Sequence, residues 1–258
     1  MRRKIVTVVM VFALAVPFLF LNVLPDIGDP TSAPNSHVSD YYIENTIETC
    51  NSPNMVTSVI VDFRAFDTLF ETTVMFLSGL CVIMLLSRKP DMPLKHQKMV
   101  NGFKRRKYFG KPVYRTINKD VMIAIIEPLI LIYAIYVLFH GEVSLGGGFQ
   151  AGALIAMVYL LDTMVGRRDR DLMIFDKYKA ARIAGLGPFI YAFAGILTMI
   201  GGGLFLEYDK FPLPLDAQEL HSIGILIVEI GVTIGVMCTI ITILDAILER
   251  VSFDDDVH

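Results

Sequence analysis

Long apolar runs alternate with short polar connections along the chain. Windows of mostly apolar residues can be drawn at Ile5–Leu24, Phe66–Leu86, Val121–Phe139, Phe149–Val165, Ile183–Leu206 and Ile223–Leu248. Each is close to the ~20 residues a helix needs to cross the hydrocarbon layer of a bilayer. The pattern predicts an all-α integral membrane protein with about six transmembrane helices.

The distribution of charge tests that count independently, because short cytoplasmic loops collect Lys and Arg while translocated ones do not. Arg2, Arg3 and Lys4 precede the first window, eleven Lys or Arg lie within Ser87–Asp120, and six lie within Gly166–Arg182. The alternating segments Pro25–Met55, His140–Gly148 and Glu207–Glu219 hold one basic residue together, Lys210. Both termini are therefore expected on the cytoplasmic side. An N-terminal RRK before an apolar run also begins many signal peptides. Here the run is longer than an h-region, and VLPDIGD lacks the small residues of a cleavage site, so an uncleaved helix is expected.

Composition agrees: 54% hydrophobic residues and a mean hydropathy of +0.56 do not suit a soluble surface. The net charge of −3 hides the asymmetry between loops. The basic run KRRK at 104–107 reads as a topology determinant that touches anionic membrane lipid, and nothing interleaves it with the aromatics of a nucleic-acid site. Three cysteines, Cys50, Cys81 and Cys238, form no metal or disulfide pattern, so no cofactor or redox centre is expected in this chain.

The polar loop divides the chain into an N-terminal two-helix module, 1–90, a basic cytoplasmic linker, 91–117, and a four-helix module, 118–258. Charged groups at the edges and interiors of these helices carry the candidate chemistry. In VDFRAFDTLFE, Val61–Glu71, helical spacing puts Arg64, Asp67 and Glu71 on one face, with Asp62 displaced from it. Two readings stand: a structural Arg64–Asp67 pair at the interface, or an ion route in which Glu71 takes part.

Glu127 lies about two turns into its window, ahead of Pro128, whose missing N–H frees a carbonyl one turn back. Glu229 lies about two turns into the last window among glycines. Each is either protonated and hydrogen-bonded to a neighbouring helix or part of a polar path. Asp162 and Asp245, near cytoplasmic ends, read as solvated, and His221 reads as interfacial.

HGEVSLGGGFQAG, His140–Gly152, lacks the GK[ST] of a P-loop and the spacing of a dinucleotide fold. Gly146, Gly147, Gly148 and Gly152 instead permit a tight external hairpin and close helix packing, as Gly231 and Gly235 do in GVTIG.

An apolar helix ending in FHG, followed by a spacer and GGGFQAG, resembles the B subunit of the Mrp (Mnh) multisubunit sodium/proton antiporters, whose stretch runs approximately GH-x-x-P-GGGF-x-GG. IVEIGV, Ile227–Val232, resembles that family's last-helix motif. Leu145 stands where a proline is usual and Ala151 replaces a glycine. NMVTSVIVDFRAFDTLFETTV, Asn54–Val74, is similar to the end of the large A-type polypeptide of the same antiporters, with Ala65 and Phe70 in place of glycines and all four charged residues retained.

The resemblance implies a membrane subunit of an Mrp-type antiporter module in which Asp67, Glu71, Arg64, Glu127 and Glu229 serve the ion pathway for Na⁺ or H⁺. An A-type tail joined to a B-type domain is similar, too, to the antiporter module of membrane-bound hydrogenases and sulfane reductases. It implies small hydrophobic partner subunits, with redox subunits in the latter case, and no nucleic acid.

Overall fold

A computed structural model describes residues 2–16, 18, 28–32, 35–86, 117–165 and 177–254. Its elements are α1 (Arg2–Ala15), α2 (Val38–Cys50), a single turn at Met55–Thr57 continuing into a π-helical segment (Ser58–Phe63), α3 (Ala65–Leu86), α4 (Ile117–Phe139), α5 (Gly148–Val165), α6 (Lys177–Ala184), α7 (Leu186–Ile200), a 3₁₀ turn (Tyr208–Lys210) and α8 (Ala217–Asp254). The chain forms two compact units, 1–45 and 46–258. In the first, Asp29 accepts hydrogen bonds from the amide and hydroxyl of Thr31, both at 2.8 Å, closing a turn ahead of α2.

Among the described residues, four helices are long and apolar enough to cross a membrane: Ala65–Leu86, Val121–Phe139, Tyr178–Ile200 and Ala217–Leu248, with a shorter apolar helix at Gly148–Thr163. The protein is a multi-pass membrane protein. Of the about six crossings expected, the described residues show four such helices and a fifth, shorter one, in an all-α fold. The window at Ile5–Leu24 is helical over Arg2–Ala15, 14 residues, and most of its remainder lies outside the described residues, as does the basic linker 91–116.

α8 is the core of the second unit: 61% of its apolar window is buried, against 17% for α3. Glycines let its neighbours approach. A Cβ on Gly187 of α7 would lie 2.7 Å from the Gly235 Cα and 2.8 Å from the Gly231 carbonyl, so these two helices cross backbone to backbone. On the opposite flank, a Cβ on Gly152 of α5 would meet the Thr233 carbonyl at 2.7 Å. The span containing α6 and α7 is interrupted at Gly185, where Pro188 has no N–H for the Ala184 carbonyl.

The entry to α3 differs from the continuous helix expected there. Ser58–Phe63 is π-helical and Arg64 leaves helical geometry, with φ −123° and ψ 34°. The carbonyls freed by this break are taken by hydroxyls from three elements. Thr68 donates to Ile60 at 2.7 Å, Tyr208 to Val61 at 3.0 Å and Tyr191 to Ala65 at 2.8 Å. A non-helical backbone is tolerated in a membrane protein where such donors satisfy it.

Candidate functional site

The weakly basic connections meet at one end of the second unit. Asn54 donates its side-chain amide to the carbonyls of Gly141 (2.9 Å) and Ser144 (2.7 Å), and Thr57 donates its hydroxyl to Gly141 (2.6 Å). Ser52 donates to the Glu142 carbonyl at 3.0 Å. The segment before α3 therefore clamps the His140–Gly147 hairpin. Asp62 of the π segment lies 3.0 Å from Nδ1 of His221 in the first turns of α8. His221, read from sequence as merely interfacial, is the partner of Asp62. The signal was weak because the two stand 159 positions apart.

Inside this end lies Glu229, only 4% exposed. The glycine hairpin wraps its side chain. A Cβ on Gly141 would stand 2.8 Å from both carboxyl oxygens, and one on Gly147 would stand 2.9 Å from Oε1. Gly147 also holds φ +156°, a conformation side chains disfavour. Gly148 packs on the Glu229 backbone, where its Cβ would come within 2.9 Å of the carbonyl carbon and closer still to the oxygen. The Thr233 hydroxyl lies 3.0 Å from the Gly148 carbonyl and 2.8 Å from that of Glu229, tying α5 to α8. Glycines of the hairpin thus enclose a carboxyl group.

Glu142 is half-buried in the hairpin, and its charge acts on Glu229. Burial raises the Glu142 carboxyl above its ordinary range, with the Ser222 hydroxyl opposing the shift. Burial likewise holds the Tyr208 phenol well above its usual range, with the charges of Tyr191 and Asp62 adding to it. Desolvation pushes the Cys50 thiol up to about 12, and the adjacent Asp62 carboxylate pushes the same way.

The other expected residues are distributed differently. Glu127 is buried in α4, at 6% exposure. Arg64 and Asp67 form the anticipated ion pair, with Nε 2.6 Å from Oδ2, but both side chains are about 60% exposed. Glu71 is also exposed, on the outward face of α3. The acidic groups thus separate into an outward set on α3 and a buried set, Glu127 and Glu229. Asp245, read as solvated, is partly buried and accepts a hydrogen bond from the Tyr159 hydroxyl at 2.8 Å. Among the described residues, no group of three or more His, Cys, Asp or Glu is placed to hold a metal ion.

Residues 119–242, which include the hairpin and Glu229, match the family described as a domain related to the MnhB subunit of Na⁺/H⁺ antiporter. Residues 30–94 match the MbhE family of MBH subunits. A probable K⁺/H⁺ antiporter A/B polypeptide of Rhizobium meliloti is 25% identical over 218 residues, covering 78% of this chain and 22% of that protein. The chain therefore spans about a fifth of that relative's length.

Two solved structures share the fold. One is a chain of the archaeal membrane-bound sulfane sulfur reductase, with a TM-score of 0.66 and 22% identity, covering 96% of this chain and 99% of that one. The other is a chain of the Mrp complex from Dietzia sp., with a TM-score of 0.61 and 23% identity, covering 95% and 26%.

Proposed function

We propose that this chain, whose residues 119–242 match the MnhB-related family of Na⁺/H⁺ antiporter domains and whose residues 30–94 match the MbhE family, is a membrane subunit of an Mrp-type cation/proton antiporter module. It contributes to Na⁺ or H⁺ translocation and to assembly of the complex. The observation that carries this reading is Glu229, a carboxyl group only 4% exposed and enclosed by the glycine hairpin of the family-matched region. An ionisable group at membrane depth costs several kcal/mol unless it is neutral, paired or hydrated, so its presence there calls for a role.

Other membrane subunits complete the module, as they do in the complexes to which the two similar solved chains belong. Glu71, Asp67 and Arg64 then face those subunits or lipid rather than this chain's own core. Na⁺ or H⁺ is the transported species, and this chain supplies no cofactor of its own. The test is Na⁺-driven proton movement in everted vesicles. Glu229→Gln should abolish most of it while the complex still assembles, and Glu71→Gln should impair it. Normal transport by an assembled Glu229→Gln complex would remove Glu229 from the path.

One observation favours a second reading. The likeness to the sulfane reductase chain runs over 99% of that chain. In that setting this protein would be a non-transporting assembly subunit in the membrane arm of a hydrogenase- or sulfane-reductase-type respiratory complex. Purifying the intact complex and identifying its subunits discriminates: subunits with paired CxxC motifs would place it in a redox-driven assembly.

A further inference from the structure

The hairpin that encloses Glu229 has much of its carbonyl capacity already used. Three backbone carbonyls of the enclosing hairpin already have donors. That of Gly141 accepts from Asn54 and Thr57, and that of Glu142 from the Ser52 hydroxyl and the Asn54 amide. The His140 carbonyl accepts from the amides of Val143 and Ser144 and from the Ser144 hydroxyl. A carbonyl has two lone pairs, so these three are saturated. A bound metal cation needs a shell of free oxygens, and these carbonyls do not offer one. Backbone of Gly141 and Gly147 lies against the carboxyl.

We propose that Glu229 is a proton-exchanging carboxyl group, enclosed by the His140–Gly148 hairpin and reached from the loop end of the helices through Glu142. This deepens the reading above, on which it rests, by making H⁺ the species handled at this position. The hairpin carries both parts: its glycines wall in Glu229, and its half-buried Glu142, next in sequence to the Gly141 that touches that carboxyl, hydrogen-bonds Ser222 of α8. In loading, a proton leaves the Glu142 carboxyl for the Glu229 carboxylate and Glu142 is reprotonated from solvent; in release the same transfers run in reverse, so charge and atoms balance.

Several other ionisable groups on the elements packed against α8 are paired or exposed, with His140 of the hairpin among the exposed ones. Asp62 of the π segment is held by His221, Asp209 and Lys210 of the 3₁₀ turn pair at 2.6 Å, and Arg64, just ahead of α3, pairs with Asp67 in that helix's first turn. Glu71 of α3 and Lys179 and Arg182 of α6 are exposed. Glu127 of α4 is buried, and Asp162 of α5 lies partly buried near that helix's C-terminal end.

The experiment is difference infrared spectroscopy of the purified complex after pH jumps. A protonated-carboxyl C=O band that disappears on alkalinisation, is missing from Glu229→Gln and does not respond to added Na⁺ is the expected result. Glu142→Gln should keep the band but slow its disappearance about tenfold or more, as loss of a proton-transfer group does. Bleaching of the band by Na⁺ at fixed pH, or an unchanged rate in Glu142→Gln, overturns the proposal.

Should Glu229→Gln fail to assemble, an apolar carbodiimide on the wild-type complex, which adds to protonated carboxyls, serves instead. Modification of Glu229, located by mass spectrometry, must fall from acid to alkaline pH and resist Na⁺; otherwise the proposal fails. The band can persist even if vesicle transport is unaffected by Glu229→Gln, and that combination would sink the translocation reading alone.

Discussion

Gly141 and Glu229 touch across 88 positions of sequence: a Cβ at 141 would lie 2.8 Å from each carboxyl oxygen of Glu229. The hairpin can close over the carboxyl because this position has no side chain. A methyl group added there must displace the carboxyl or open the hairpin, and overpacking of this kind costs about 1–3 kcal/mol.

The hairpin glycines should accordingly differ in their tolerance of alanine. Gly148→Ala runs into the Glu229 backbone carbonyl and is expected to be the most damaging. Gly146→Ala meets a methyl of the Val137 side chain at 2.8 Å, with the Val137 carbonyl next at 3.3 Å, and should be milder. Thermal denaturation of the purified complex ranks them; equal melting temperatures would refute the close approach at Gly148.

The helix crossing at Gly187 makes a second prediction. Gly187→Ala or Gly235→Leu forces α7 and α8 apart where their backbones are in contact. Assembly measured by size-exclusion chromatography should fall severely. Gly202→Ala, where a Cβ meets nothing within 4 Å but φ is +91°, should cost only about 1 kcal/mol.

Asp62 and His221 couple the π segment to α8 at 3.0 Å, with both side chains under 20% exposed. A double-mutant cycle with Asp62→Asn and His221→Gln should return a coupling of about 0.5–3 kcal/mol. Strict additivity would mean the contact contributes nothing to holding the broken helix.

Cys50 is buried, at 1% exposure, and its thiol is pushed up to about 12, first by desolvation and then by Asp62. The thiol form persists through neutral pH, and the thiolate is the reactive species. Maleimide labelling of Cys50 in the folded protein should be negligible near pH 7 and rise only with strong alkalinity. Asp62→Asn should accelerate it, and rapid labelling at neutral pH would contradict the burial and charge described.

The sequence by itself determined the class of protein, because crossing a bilayer demands runs of apolar residues and the charge rule alternates their loops. The local motifs were legible for the same reason: GGGFQAG implies a tight hairpin, and GVTIG implies a close helix crossing. The Arg64–Asp67 pair followed from i, i+3 spacing. Only the tertiary structure decided that the hairpin of His140–Gly148 encloses Glu229 and that Asp62 meets His221. It also decided that Glu71 faces outward while Glu127 and Glu229 face in. Helical periodicity says which residues share a face; which neighbour that face meets depends on packing between helices far apart in sequence. The π segment was invisible as well, since its break is stabilised by hydroxyls of Thr68, Tyr191 and Tyr208, two of which arrive from elements more than a hundred residues away.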